Sequence, residues 1–328
     1  MNLHNDKKLF KEAIQVTAKQ LKIAEVFIEK DYWVVYVLKS IFSQSVGESI
    51  VFKGGTALSK CFNIIERFSE DIDLVILEGD LTSENQRNKR LKKVTQVITA
   101  PLEEVEIEGI TNKRGMLRKI AYEYPKVDLS GQFIQARDKI IVEATRLGKP
   151  EPFETKKIAT YIYDMMLENK QSELIEKYEL APLEVKVLSL ERTFCEKIMS
   201  LVRFSYGDGY KEQLKNKIRH IYDLNQLLKT REIQSFLNSG EFELFFQSVG
   251  QDDVHSFRNE NEWLVNHPKE AKLFSNTESV WKEIKSVYTK EFRDLVYGYL
   301  PNEEEILQTL HIISGKLNSI SWTIKLNQ

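Results

Sequence analysis

Read as a pattern of apolar and polar positions, the chain opens on a helical stretch over residues 7–44, where Phe27, Val34, Leu38 and Ile41 recur on one face as a packing stripe. After Gly47 the period shortens. Ser49–Lys53 is a short β-branched and aromatic run ending at Gly54-Gly55, and Ala57–Phe62 resumes a helical pattern, which predicts strand, turn and helix in that order. Asp71–Leu77 alternates strictly, with Asp71, Asp73, Val75 and Leu77 on one face and Ile72, Leu74 and Ile76 on the other. A polar helix follows over residues 83–99, then a mixed stretch from Glu103 to Asp128 with strand-like pieces such as Ile120–Tyr124, then a strand over Lys139–Arg146. There Ile141, Glu143 and Thr145 alternate with Ile140, Val142 and Ala144.

The Gly148-Lys149-Pro150-Glu151-Pro152 cluster predicts a loop, beyond which the pattern is mostly helical apart from a strand at Leu183–Leu188. Trp281, Ile284, Tyr288, Phe292 and Leu295 form the stripe of one late helix, and Ile306, Leu310, Ile313 and Leu317 that of another. Asn302 with Glu305 three residues on has the form of a capping box. The expectation is an α+β protein: residues 1–150 form a mixed-sheet core with N-terminal helices, and residues 151–328 a mainly helical domain.

Composition narrows the function classes. The 328 residues are 42% hydrophobic and 29% charged, which excludes a disordered chain, and 47 basic residues against 49 acidic ones exclude a global pull toward nucleic acid or membrane. Arg87, Lys89, Arg90, Lys92 and Lys93 concentrate basic charge on one segment, a candidate track for an RNA backbone or simply a solvated helix face. Cys61 and Cys195 lie far apart among apolar residues and read as reduced, buried thiols, and the five histidines show no zinc spacing. No secretory leader or membrane span is legible, so a cytoplasmic location without membrane contact is expected.

The chemistry concentrates in residues 52–76. A two-glycine turn opening a helix lets backbone N–H groups approach a phosphate, with Thr56 as a further hydroxyl donor. Asp71 and Asp73 project from one strand face with Cα atoms about 6.6 Å apart, a gap that one Mg²⁺ can bridge while taking its other ligands from substrate phosphates. Glu143, flanked by apolar neighbours on another strand, is the candidate third acid that phosphoryl transfer with two metal ions requires. Singly, each feature has a bland counterpart: strands carry exposed alternating acids, and Gly-Gly turns are common. Ser69 and Arg67, beside the acidic strand, suit either phosphate contact or a turn, and Lys53 and Lys60 either phosphate or solvent.

The order of these features resembles the polymerase-β-like nucleotidyltransferases, and within them the AbiEii/AbiGii-type toxins of type IV toxin–antitoxin and phage-abortive systems. The resemblance is carried by Glu29-Lys30-Asp31-Tyr32-Trp33, Gly54-Gly55-Thr56-Ala57-Leu58, Arg67-Phe68-Ser69-Glu70-Asp71-Ile72-Asp73, Glu191–Lys197 and Arg219–Leu224, with a later Trp281–Gly298 helix and the Pro301–Ile306 helix start. It implies a nucleotidyltransferase-type mixed sheet and a site of four motifs: Gly54-Gly55-Thr56 cradling phosphate, Asp71 and Asp73 holding Mg²⁺, Lys197, and Asp223. Fourteen residues separate Thr56 from Asp71, more than the usual spacing, so the intervening helix or turn should be longer.

Taken from its own neighbours, Lys197 suits the β- and γ-phosphates of a nucleoside triphosphate, but also a surface lysine beside the buried stripe of Phe194, Ile198 and Leu201. Asp223 suits an exposed pair with Arg219 one turn before it, or a group that orients Lys197 or the attacking hydroxyl. The resemblance favours the functional role for both. It implies transfer of NMP from an NTP to an acceptor hydroxyl, with tRNA 3′ ends as the acceptor, other RNA, a protein or a small molecule as alternatives, and a cognate antitoxin as partner. A nucleotide-binding module without turnover is the rival from another class.

Overall fold

The computed structural model describes residues 1–69, 71–79, 81–129, 139–257 and 260–326; Glu70, quoted in the motif above, lies outside the described residues. The chain divides into two compact units. Unit 1 comprises Met1–Asn63, Phe68–Arg146 and Phe153–Val187, and unit 2 comprises Ile64–Arg67, Leu147–Pro152 and Leu188–Gln328.

Unit 1 is built on a mixed sheet. Its strands are β1 (Ile50–Lys53), β2 (Asp71–Ile76), β3 (Glu103–Val105), β4 (Leu117–Glu123), β5 (Ile140–Thr145), β6 (Phe153–Ile158) and β7 (Leu183–Leu188), ordered β3-β4-β5-β2-β1-β7-β6. β2 runs antiparallel to β1 and parallel to β5, β5 antiparallel to β4, and β1 parallel to β7. The helices of this unit are α1 (Lys7–Leu21), α2 (Glu25–Phe42), α3 (Gly54–Lys60), α4 (Glu84–Gln96), α5 (Tyr161–Glu168) and α6 (Ser172–Lys177).

The alternation of the strands sorts their side chains. Phe52, Ile72, Leu74, Ile120, Val142 and Ala144 join one continuous core with Ile14, Trp33, Leu38 and Val94 of the helices. The opposite face carries Lys53, Asp71, Asp73, Lys119 and Glu143, all only partly buried. One sheet face therefore holds the unit together, and the other is where its charge collects.

Three differences from the sequence reading have clear physical causes. The first helix is two: α1 ends at Lys22, whose left-handed φ of 57° stops the ladder although the residue is not a glycine. β6, with the sequence FETKKI, is mostly exposed at the sheet edge, so no buried alternation announced it. The longer interval expected between Thr56 and Asp71 lies outside helix, since α3 spans only seven residues and Ile64–Arg67 belong to unit 2. The late helix ends at Thr289, because the chain beyond it runs beside Glu66 and Arg67: Tyr297 N–H donates to the Glu66 carbonyl at 3.0 Å, and Val296 bridges Arg67.

Unit 2 is a helical assembly: α7 (Leu190–Arg203), α8 (Tyr210–Asn216), α9 (Ile218–Leu228), α10 (Arg231–Asn238), α11 (Glu241–Ser256), α12 (Lys272–Ser275), α13 (Thr277–Thr289) and α14 (Glu303–Ser319). α7 packs on α9 and α11, and α9 on α14, through buried residues such as Phe194, Ile198, Leu224, Phe246 and Leu310. The Asn302–Glu305 capping box starts α14 as expected. Both cysteines are free thiols, Cys195 buried and Cys61 partly so. Among the described residues no helix is long and apolar enough to cross a membrane.

The three consecutive charges of α2, Glu29-Lys30-Asp31, are buried because each has inward work. Glu29 accepts from the Val127 N–H at 2.8 Å, the Lys30 ammonium lies 5.5 Å from the Phe68 ring centre, and Asp31 accepts from Lys60 Nζ at 2.6 Å and from the Tyr161 N–H at 2.8 Å. Lys60, weighed above as a phosphate reader, is therefore an internal partner that ties the end of α3 to α2 and α5. Replacing Asp31 by Ala strands that ammonium and one backbone N–H, and is expected to lower the unfolding free energy by about 3–5 kcal/mol in urea titration. A loss below about 1 kcal/mol would show that the pair does not hold α3.

Candidate active site

Within unit 1 the sequence candidates come together on the polar sheet face. Asp73 lies in direct register with Glu143 on β5 and with Lys53 on β1, and Glu143 with Lys119 on β4, so four charged residues form one row across four strands. Adjacent strands lie about 4.8 Å apart, so two carboxylates meet side by side. Like charges directly opposite are unfavourable, and nothing in a merely structural sheet requires them. Asp71 stands two residues from Asp73 on the same face.

The glycine turn closes on this row. Gly54 has φ +81°, which an L side chain adopts only under strain, and a Cβ there would overlap Asp73 Oδ2 and come within 2.9 Å of its Cγ. The turn is thus seated on the Asp73 carboxylate, and only glycine permits it. Thr56 is buried, and its hydroxyl donates to the Asp71 carbonyl at 2.6 Å, with Ser69 Oγ 3.1 Å away. In this state the Thr56 proton pins the start of β2, and Ser69 beside it is a partly exposed hydroxyl.

Electrostatics follow from the crowding. Burial, then the Glu143 carboxylate, then that of Asp71, push Asp73 from an ordinary 3.8 up to about 7. Lys119 Nζ pairs with Glu143 Oε2 at 2.9 Å, the two side chains being 27% and 30% exposed. Burial pulls this ammonium down, but Glu143, with Asp71 and Asp73 behind it, outweighs that and holds it above its ordinary value. Sequence reading missed Lys119, because only the pairing of β4 with β5 reveals its neighbour.

Among the described residues no three His, Cys, Asp or Glu side chains are gathered as a ready metal cage. The donor chemistry still fits a hard divalent cation: Asp71 and Asp73 offer oxygen ligands from one face, and the repulsion that raises Asp73 is what such a charge would relieve. Glu143 is engaged by Lys119 in this state.

Unit 2 holds the other two candidates. Asp223 on α9 is fully buried and accepts from Arg67 Nε at 2.7 Å, Arg67 Nη2 at 2.8 Å and Lys197 Nζ at 2.7 Å. Both bland readings are overturned: Asp223 is no exposed partner of Arg219, and Lys197, with a side chain 6% exposed, does not reach for solvent. Burial would raise Asp223, but the charges of Arg67 and Lys197 overcome it and hold the carboxyl well below its usual range. His220 Nδ1 lies 3.5 Å from Lys197 Nζ, and burial together with the neighbouring cations keeps its ring neutral. Arg67, read above as a turn or phosphate residue, is the second cation on Asp223, a partner 156 positions away that sequence spacing does not disclose.

In the basic segment three of the five cations serve the fold. Arg87 pairs with Glu78 and Glu84, Arg90 donates to the Leu77 carbonyl at 2.7 Å, and Lys93 donates to Ser45 Oγ at 3.2 Å. Lys89 and Lys92 are exposed.

The raised Asp73 carries a pH signature with a definite sign. Unfolded, it titrates near 3.8 and, folded, near 7, so folding takes up a proton between these values and its penalty grows as pH rises through that window. Without divalent ions, Asp73→Asn is expected to melt at a higher temperature than the parent at pH 8, with the advantage shrinking as pH falls toward 5. A lower midpoint at pH 8 would contradict the crowding.

Among solved structures the chain is similar to the nucleotidyltransferase toxin MenT4 of Mycobacterium tuberculosis H37Rv, at 18% identity and TM-score 0.44 over 92% of this chain and 98% of that one. It is also similar to JHP933 from Helicobacter pylori, at 17% identity and TM-score 0.37 over 86% of this chain and 91% of that one. No curated protein matches the chain. The family model described as "Nucleotidyl transferase AbiEii toxin, Type IV TA system" matches residues 36–308, a span that takes in the glycine turn, the acidic strands, Lys197 and Asp223. The chain therefore belongs to the AbiEii family of toxin nucleotidyltransferases of type IV toxin–antitoxin systems.

Proposed function

We propose that this toxin transfers the nucleoside monophosphate of an NTP to a hydroxyl at the 3′ end of tRNA, with Mg²⁺, in the cytoplasm, and that a cognate antitoxin opposes it. One observation carries the reading: an Asp73–Glu143 pair of like charge, with Asp71 beside it, pressed against a turn that tolerates no Cβ. Such an arrangement costs stability, and a triphosphate with its cation is the ligand that would repay it.

In this reading the backbone N–H groups of Gly54 and Gly55 approach the phosphate oxygens, the missing Cβ of Gly54 leaves room for Asp73, and Thr56 fixes the strand that presents the acids. Asp71 and Asp73, with Glu143 as the third acid, are the residues that would hold the metal. A divalent cation there supplies charge neutralisation to the triphosphate and the departing pyrophosphate. The acceptor hydroxyl gives up its proton to solvent as its oxygen bonds to the α-phosphorus, and the bond from that phosphorus to the oxygen bridging the β-phosphate breaks, releasing pyrophosphate. Ser69 offers a hydroxyl to phosphate. Lys197 and Asp223 enter as the family's third and fourth motifs, with Asp223 as the group that orients Lys197.

The test is incorporation. Purified protein, Mg²⁺ and total RNA are incubated with each NTP labelled at its α-phosphate, beside Asp71→Asn and Lys197→Ala. Label at tRNA 3′ ends, falling roughly hundredfold or more in the variants, is expected. Label on protein or on a small molecule instead would replace the acceptor, and nucleotide binding without any incorporation would overturn the reading.

A further inference from the structure

The row across β4, β5, β2 and β1 reads Lys119, Glu143, Asp73, Lys53, two acids bracketed by two lysines. The mechanism proposed above uses the acids and gives Lys119 no task. Yet Lys119 is placed on the acid cluster by strand register, its Nζ 2.9 Å from Glu143 Oε2, with Asp71 and Asp73 near enough to bear on its charge. A half-buried ion pair of this kind contributes only modestly to folding. What it does is electrostatic: one ammonium offsets part of the negative charge that three carboxylates bring to one sheet face.

We propose that Lys119 is a resident counter-ion of the acid cluster, holding Glu143 until a divalent cation takes over its charge, and that it thereby weakens metal binding by the nucleotide-free protein. The inference rests on the proposed function, in which Asp71, Asp73 and Glu143 receive that cation. It follows from competition. A carboxylate oxygen engaged by an ammonium must be released before it can ligate, and a positive charge fixed within a few ångströms opposes the entry of another. A cation delivered with a triphosphate meets less opposition, because the phosphates offer Lys119 a new partner through its three rotatable donors.

The experiment is a Mn²⁺ titration of nucleotide-free protein, read from the electron paramagnetic resonance signal of the free ion, on the parent, Lys119→Gln, Lys119→Arg and Asp73→Asn, each checked for an intact thermal transition. Lys119→Gln is expected to bind Mn²⁺ roughly tenfold more tightly than the parent, and Lys119→Arg, which keeps the charge, to bind as the parent does. Equal or weaker binding by Lys119→Gln, while Asp73→Asn loses the site, overturns the role of Lys119 and leaves the metal reading of the acids standing. Binding indifferent to Asp73→Asn, or no binding by the parent or Lys119→Gln, overturns that reading and this inference together.

Discussion

The structure of unit 1 turns on the placement of two carboxylates in register on adjacent parallel strands, Asp73 on β2 and Glu143 on β5. Their repulsion is unfavourable, and the rest of the unit makes it tolerable. Apolar residues at 72, 74, 142 and 144 point the other way into a dense core, so the strands cannot slip by one residue without turning that core outward. Lys119 and Lys53 bracket the pair in the same register row. Gly54 removes the one atom that would collide with Asp73, and Thr56 fastens the turn to the strand that bears the acids.

Unit 2 solves the opposite problem. Here a single carboxylate, Asp223, is buried with two cations, Arg67 and Lys197, on it. Removing two such charges from water is costly, and only several short charge-assisted hydrogen bonds on one acid make the arrangement stable. The segment that brings Arg67 is itself fastened within unit 2. The Glu66 carbonyl accepts from the Tyr297 N–H, and a Cβ at Gly298 would strike the Glu66 side chain. This is why the interval between the glycine turn and the acidic strand is long, and why the helix begun at Thr277 stops at Thr289. Neutral His220 beside Lys197 adds no further positive charge to the cluster.

What the sequence made legible was what burial writes into periodicity. β1, β2, β5 and β7 alternate or run apolar because their side chains enter the core, and the acids stood out as exceptions on that background. β6 escaped because an exposed edge strand has no apolar face to repeat, and the break at Lys22 because a lysine rarely takes the conformation usually left to glycine. Lys119 escaped, and the partner of Arg67 went unread, for another reason. Each is an unremarkable cation in its own segment, and each acquires meaning only from a partner brought to it by strand pairing or by helix packing. The bland reading of Lys197 failed likewise, since its stripe of apolar neighbours was visible while the buried acid that holds it was not.

Whether Asp71 and Asp73 receive a divalent cation beside the glycine turn is decided by a crystal structure with Mn²⁺ and a non-hydrolysable NTP, the metal located by its anomalous scattering. The expected result is an anomalous peak roughly 2.1 Å from carboxylate oxygens of both Asp71 and Asp73. A metal–nucleotide complex seated elsewhere, with both acids unliganded, would contradict it.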